Sequence, residues 1–488
     1  MSLKAKLEEI RINKQQVLVV GLGISGIESA KFLNKIGIKV VCVEKSSEAS
    51  YRQKSKWLGL LQELVDLEIS INFGIDGEGL IPFLDQVELA VLSPGVSLES
   101  SIVGALNRHA IPVIGELELG IEYSGLPAIV VTGSNGKSTT VSLLKHILKT
   151  AGKNAILCGN VGTPVVSQIA DEINKEGILV VEASSYQLET CTMLKPKVAV
   201  LLNISDNHLE RHGTIERYVD AKAKMFALQD KTDFTVLNAD DPIVAAQASG
   251  LNSQVLKFGI KTSLSDKQAE IDYRPAESID LVRTTLEYDL SRCKLIGRHN
   301  KANIAAAILV CEKFGVSKAD MLKAIDSFKT LEHRIEEVAN NLDRLIINDT
   351  KSTTVASSVA AFRASVEKYP DKKISLLLGG RAKAGSWEPV FKIIKESQQQ
   401  INQIIFFGED RNMLAKLCEV QELAFVKAPK VAEALKLALE TSNSGDLILF
   451  SPGCASFDEF GDFEERGNMF KSYVKAYEAA STKVANNV

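Results

Sequence analysis

Short apolar, β-rich runs alternate with helix-period segments along most of the 488 residues, which predicts an α/β fold on mostly parallel sheets. Two further observations refine this. Glycine-rich turns follow two of the runs directly, and about 150 residues per domain gives roughly three domains. Hydrophobic residues are 45% and charged residues 24% of the chain. That balance excludes a mainly disordered, collagen-like or coiled-coil protein.

The first block, residues 1–115, has expected strands at 16–20, 39–43 and 89–92, with mixed-charge helical segments between them. The second, 116–330, opens on a strand at 126–131 and continues with 177–181 and 197–202. Alternation over 254–290 predicts an antiparallel addition, and helices near 300–314 and 317–328 close the block. The third, 331–488, has expected strands at 344–347, 374–378, 403–407 and 446–450, each followed by a helix. Its last ten residues are small and polar and are expected to fray.

Charge and cysteine usage narrow the partners. With 57 Lys and Arg against 61 Asp and Glu, the net charge is -4, so no global positive field holds a nucleic acid. The seven cysteines form no C-x-x-C pair, which argues against a zinc ribbon or dithiol site. The opening MSLKAKLEEIRINKQQ lacks the apolar stretch of a signal peptide. No apolar run approaches the roughly 18 residues of a membrane span. The expectation is a reduced, cytoplasmic protein, a monomer, with neither nucleic acid nor membrane as partner.

The turn Gly21, Leu22, Gly23, Ile24, Ser25, Gly26 lies between a strand and a helix, and Glu44 ends the next strand. Such glycines let backbone approach a pyrophosphate at a helix N-terminus. Taken alone this supports an NAD-dependent oxidoreductase, although any diphosphate suits the same amides. The first block thus reads as Rossmann-like. A stronger signal is Gly133, Ser134, Asn135, Gly136, Lys137, Ser138 and Thr139 after an apolar strand. Backbone amides there cradle phosphates, Lys137 supplies a point charge, and the Ser138 hydroxyl suits Mg²⁺. Two residues separate the glycines, where the general P-loop has four. The second block therefore reads as a P-loop ATPase domain, and an oxidoreductase leaves this loop unexplained.

Glu182 and His208 follow strands of the same block, and parallel strands share one C-terminal edge, so both are expected beside Ser138 as metal ligands. The helical stretch 218–226 carries Lys222 and Lys224 on a pattern that does not separate them. Arg334, at the second boundary, suits either a phosphate clamp or an interface ion pair. The polar loops 348–354 and 451–458 both lie just past strands of the third, again Rossmann-like, block. No G-x-S-x-G elbow or H-E-x-x-H pair occurs, which weakens hydrolase and zincin readings.

In order along the chain, TGSNGKST (132–139), GNVGTP (159–164), EASSYQL (182–188), NISDNHLERHG (203–213), YxxAK (218–222), NADD (238–241), GRHNKAN (297–303), LEHRIE (331–336), NDTKST (348–353), LLLGG (376–380) and SPGCASFDEF (451–460) resemble the Mur ligases of peptidoglycan synthesis. The shortened phosphate loop is that family's normal form. The N-terminal GLGISG, the turn Ser93, Pro94, Gly95, and GELEL (115–119) are similar to its D-glutamate-adding members. A diaminopimelate-adding member would be expected to carry a DNPR-like motif, absent here. The alternative is another Mur ligase with a different amino acid.

The resemblance implies ATP, two Mg²⁺ ions, UDP-N-acetylmuramoyl-L-alanine and D-glutamate. It places Gly23, Ser25, Ser93, Pro94 and Gly95 at the uridine diphosphate, and Asn160 and Ser184 at the muramoyl-alanine end. It implies Ser138 and Glu182 on one Mg²⁺, and His208 with a carbamylated Lys222 on the other. Asn303, Arg334 and Asp349 would meet ATP. Lys351, Thr353, Lys383, Ser456 and Phe463 would form the D-glutamate side. The expected reaction is carboxylate activation as an acyl phosphate, followed by amine attack.

Overall fold

The computed structural model describes residues 2–53, 58–170, 176–205, 209–260, 268–273, 284–290, 292–383 and 385–485. The chain divides into two compact units, Met1–Arg292 with Ala302–Ser327, and Cys293–Lys301 with Phe328–Val488.

The first unit contains two separate parallel sheets. The first is built from β1 (Gln16–Val20), β2 (Lys39–Glu44), β3 (Ser70–Phe73), β4 (Val87–Leu92) and β5 (Val113–Gly115), in the order β3-β2-β1-β4-β5. Every residue of β1 is buried, as befits a central parallel strand covered on both faces. Val17 and Val19 enter one core cluster, while Leu18 and Val20 enter the other. The order reverses direction at β1 and β4, so their C-terminal ends, Val20 and Leu92, open the crevice where α/β sheets take ligands.

The helix Glu116–Ser124 leads from that sheet to the second and ends at Gly125, which takes φ +66°. The second sheet contains β6 (Ala128–Thr132), β7 (Ala155–Gly159), β8 (Ile178–Glu182), β9 (Val198–Leu201), β10 (Phe234–Asn238) and β11 (Gln254–Phe258), in the order β11-β10-β9-β6-β8-β7. All its pairings are parallel. Register sets Val131 against Glu182 and Thr132 against Leu201, so β6, β8 and β9 end side by side.

The expectation of an antiparallel addition over 254–290 needs correction. Residues 254–258 are the parallel edge strand β11; only β12 (Gln268–Tyr273) and β13 (Thr284–Asp289) form an antiparallel pair. An edge strand with exposed positions alternates in polarity much as a half-solvated antiparallel strand does. Helices Arg298–Lys313 and Lys318–Ser327 occur where expected.

The second unit is built on β14 (Glu336–Glu337), β15 (Leu345–Asn348), β16 (Ile374–Gly379), β17 (Ile401–Phe407), β18 (Val426–Lys427) and β19 (Leu447–Gly453), in the order β14-β15-β19-β16-β17-β18. Only β14 is antiparallel to its neighbour. One face packs Leu376, Leu378 and Leu449 with Phe391 and Ile394. The other packs Leu377, Ile448 and Phe450 with Phe470 and Val474 of the helix Phe463–Ala485. Phe450 and Phe470 stack with ring centroids 4.2 Å apart. The loops after β15, β16 and β19 leave one edge, since Asn348 pairs with Phe450 and Gly379 with Gly453. All seven cysteines are buried free thiols. Among the described residues no helix is long and apolar enough to cross a membrane.

Candidate active site

The phosphate loop leaves β6 and enters the helix Lys137–Thr150, and the first turn of such a helix suits an anion. Gly136 takes φ +85°, and a Cβ there would lie 2.4 Å from Asn303 Oδ1, so both the turn and the packed Asn303 amide require glycine. The loop is pinned to the segment after β9. Ser134 N donates to Asn203 O at 2.9 Å, and Asn135 N to Asn203 Oδ1 at 2.8 Å. Ser134 Oγ lies 3.1 Å from the Tyr218 hydroxyl. Lys137 Nζ donates to Gly133 O at 2.8 Å and Ser134 O at 3.0 Å. Ser138 and Thr139 are buried.

Glu182, at the end of β8, is 2% exposed. Its Oε1 accepts from Asn160 Nδ2 at 2.8 Å, while Oε2 has no hydrogen-bond partner among the described residues. A buried carboxylate oxygen left open is costly unless a cation meets it. With the Ser138 hydroxyl it forms an oxygen donor set that fits Mg²⁺. Ser184, two residues on, caps the short helix Ser185–Leu188 in a capping box with Gln187.

Lys222 is 1% exposed, and its Nζ donates to Thr132 Oγ1 at 3.0 Å and Gly133 O at 3.3 Å. Burial, then the Lys137 charge, pushes the amine down to about 6, with Glu182 acting the other way. Lys224 instead reaches the Glu189 carbonyl in a part-buried setting. The fold thus separates two lysines that their pattern does not. His208 lies outside the described residues.

In the first sheet, Ser93 Oγ donates to Gly21 O at 2.6 Å, tying the turn after β4 to the glycine turn after β1. A Cβ on Gly26 would fall 2.0 Å from Gly21 O, so the turn closes only over glycine. Gly23 precedes the helix Ile24–Lys35, and Ser25 lies in its first turn. Pro94 and Gly95 follow Ser93 at the crevice mouth. Glu44 accepts from Leu22 N and Ser46 N, both at 2.9 Å, so both its oxygens cap loop amides.

In the second unit, Asp349 follows β15 and is 2% exposed. Ser451 Oγ donates to it at 2.7 Å, Ile335 N at 3.2 Å, and Ser352 Oγ also donates. Burial pushes its carboxyl up to about 6, and these bonds and the nearby Arg334 charge hold it down. Arg334, Asp349 and the loop after β19 therefore converge. Lys351 Nζ stands 4.8 Å from the Phe463 ring centroid, and Thr353 N donates to Lys351 O at 2.9 Å. Ser456 is buried, and Lys383 is exposed at the end of the loop after β16. Arg381 and Ala455 exchange backbone bonds, so these two loops run together.

Two arginines given no role in the sequence reading brace loops, Arg466 in the second unit and Arg211 in the first. Arg466 is 1% exposed; its Nε donates to Thr350 Oγ1 at 2.8 Å and its Nη atoms to Thr350 O and Cys454 O. It binds the loop after β15 to the loop after β19. Arg211, beside the second-sheet edge, bonds both Glu189 and Val96. In the structure Arg211 lies in the short helix Leu209–His212 and Arg466 in the helix Phe463–Ala485. The available signal was, for Arg211, its place inside the 203–213 motif and, for Arg466, its position shortly after the 451–460 motif.

Residues 131–311 match the Mur ligase middle domain, and residues 15–115 the Mur ligase MurD-like N-terminal domain. The chain is 36% identical to the UDP-N-acetylmuramoylalanine–D-glutamate ligase of Koribacter versatilis (strain Ellin345), over 95% of this chain and 98% of that protein. It is 34% identical to the ligase of the same name from Pelotomaculum thermopropionicum, over 94% and 97%. Among solved structures, UDP-N-acetylmuramate-alanine ligase MurC from Thermotoga maritima superposes with a TM-score of 0.57 at 18% identity, covering 96% of this chain and all of that one. MurF ligase from Thermotoga maritima in complex with ADP gives 0.56 at 20%, covering 81% and 92%. At those identities the two structures speak for the fold.

Proposed function

The chain belongs to the Mur ligase family, and from that premise we propose that it joins D-glutamate to UDP-N-acetylmuramoyl-L-alanine at the expense of ATP, in cytoplasmic peptidoglycan precursor synthesis. The observation that carries this is end-to-end likeness to D-glutamate ligases at 36% identity. The site supports it with a phosphate loop flanked by a buried open carboxylate and a buried lysine.

A carboxylate repels nucleophiles and is a poor acyl donor. Its oxygen attacks the γ-phosphorus of ATP, the bond to the β-phosphate oxygen breaks, and ADP leaves. The amine of D-glutamate then attacks the acyl carbon of the acyl phosphate. Phosphate is expelled with its electron pair, and the amine loses a proton. Lys137 and the amides from Gly136 to Thr139 bind and neutralise the phosphates as the two anions approach, while the Ser134 and Asn135 amides pin the loop to Asn203. Arg334, Asn303 and Asp349 add contacts to ATP. Asn160 and Ser184 hold the muramoyl-alanine end, and the loops carrying Gly23, Ser25, Ser93, Pro94 and Gly95 hold the uridine diphosphate. Lys351, Thr353, Lys383, Ser456 and Phe463 hold D-glutamate, its carboxylates toward the lysines.

Ser138 and Glu182 would hold one Mg²⁺, and His208 with Lys222 a second. When bound, these ions neutralise charge on the transferring phosphoryl group. A lysine poised near neutrality can attack CO₂, forming an N–C bond and releasing one proton. The resulting carbamate is an oxygen donor where an ammonium would repel a cation.

The test is phosphate release from ATP with UDP-N-acetylmuramoyl-L-alanine and a panel of amino acids. Turnover is expected with D-glutamate and not with L-glutamate or a diamino acid. Preference for either of the latter would overturn the substrate assignment. The chain is further proposed to act as a monomer.

A further inference from the structure

We propose that Arg211 is a positioning residue coupling the diphosphate end of the acid substrate to its carboxylate end, a role that rests on the substrate contacts assigned above. The coupling runs through a chain of polar contacts in the first unit. Arg211 Nη2 donates to Val96 O at 2.9 Å, one residue beyond the turn of Ser93, Pro94 and Gly95. Val96 N closes that turn onto Ser93 O at 2.9 Å, and Ser93 Oγ grips Gly21 O of the glycine turn. Arg211 is therefore tied through Val96 and Ser93 to both loops that hold the nucleotide.

On its other side Arg211 reaches the second sheet. Nη2 and Nε donate to Glu189 Oε2 at 2.8 and 3.2 Å, and the guanidinium lies 5.2 Å from the Tyr186 ring centroid. Glu189 Oε1 stands 3.1 Å from His212 Nδ1, and His212 Nε2 lies 3.0 Å from Ser185 Oγ, the neighbour of Ser184. The His212 ring packs between Tyr186 and Tyr218, and Tyr218 meets Ser134 of the phosphate loop. The Arg211, Glu189 and His212 side chains are 17%, 14% and 2% exposed, so their interactions are only weakly screened. A planar guanidinium suits this place: it serves a carbonyl and a carboxylate together while its face covers a ring, which an ammonium does not match.

The function of such a bracket follows from the substrate's length. Binding energy gained at the uridine diphosphate raises the rate only if it fixes the distant carboxylate against the γ-phosphate. Loops bracketed to each other transmit that energy; loops that drift apart do not.

The variants are Arg211→Met, Arg211→Lys and Glu189→Gln in the full-length enzyme. In Arg211→Met, kcat/KM for UDP-N-acetylmuramoyl-L-alanine is expected to fall about 10- to 100-fold. KM for ATP and D-glutamate should move less than about twofold, and calorimetric affinity for UDP alone should stay at the wild-type value. Arg211→Lys should recover only part of the loss. Glu189→Gln, which keeps the shape and removes the charge, should reproduce the pattern at smaller amplitude. Unchanged kinetics on the acid, or a parallel fall in UDP affinity and all three KM values, would overturn the coupling role. A wild type that does not turn over the acid with D-glutamate would remove instead the reading on which the role rests.

Discussion

Lys222 and Lys224 stand two positions apart in the chain and meet opposite fates. Their sequence pattern left both as helix lysines, because helical periodicity reports a face and not what is packed against it. Tertiary burial makes the distinction: Lys222 is sealed against Thr132 and the phosphate loop, and its amine is pushed down to about 6. Replacing Lys222 by Ala should lower ligation at least about 100-fold, beyond what loss of an outer-shell partner costs. Short carboxylates should restore part of it, and intact-protein mass spectrometry of the native enzyme should find one bound CO₂. Full activity in Lys222→Ala would exclude a ligand role. Glu44 teaches the complementary lesson. Its place at the end of β2 was legible, but that its two oxygens serve the loop's own amides was not. Asp349 and Ser451 lie about a hundred residues apart, and only the β15–β19 pairing brings them into contact.

Among the elements, the helix Glu116–Ser124 carries more than its length suggests. It leads from the first sheet to the second and anchors two carboxylates on backbone amides of segments flanking the second sheet. Glu116 Oε1 accepts from Val166 N at 2.9 Å, and Glu118 accepts from Thr192 N and Met193 N. Burial pushes both carboxyls up to about 7, above the usual 4.5, with Glu28 adding to Glu116 and Glu122 to Glu118. A carboxyl raised on folding binds more protons folded than unfolded between those values, so stability falls as pH rises from 4.5 to 7 and levels above that window. For Glu116 the effect is on the order of 3 kcal/mol. Urea unfolding at pH 5 and pH 8 should show wild type losing more stability than Glu116→Gln over that interval. Equal losses would mean that Glu116 is not protonated in the folded state.

Legibility at this scale follows burial. Central strands such as β1 and β6, with every position buried, stood out as apolar runs. The short edge strand β3 has no fully buried position, β18 has two residues, and β7 alternates buried with half-buried. Such strands lack the signal that marked the centre, and β11 carried the wrong one.

In the whole molecule, the groups assigned to the reaction are divided between the two compact units. The phosphate loop, Glu182, Lys222 and the nucleotide-holding turns belong to the first; Arg334, Asp349 and the D-glutamate side belong to the second. Local motifs announced both halves because each is a contiguous loop at a strand end, where parallel sheets concentrate function. The braces Arg211 and Arg466 escaped notice because their meaning depends on loops far away in sequence.

The central claim is that the acid is activated by phosphorylation of its own carboxylate. It is tested most directly with UDP-N-acetylmuramoyl-L-alanine carrying heavy oxygen in the alanine carboxylate, ligated to D-glutamate, with the released phosphate examined by mass spectrometry. One heavy oxygen transferred to each phosphate is the expected result. Unlabelled phosphate, with the displaced heavy oxygen recovered in water or in AMP instead, would contradict it.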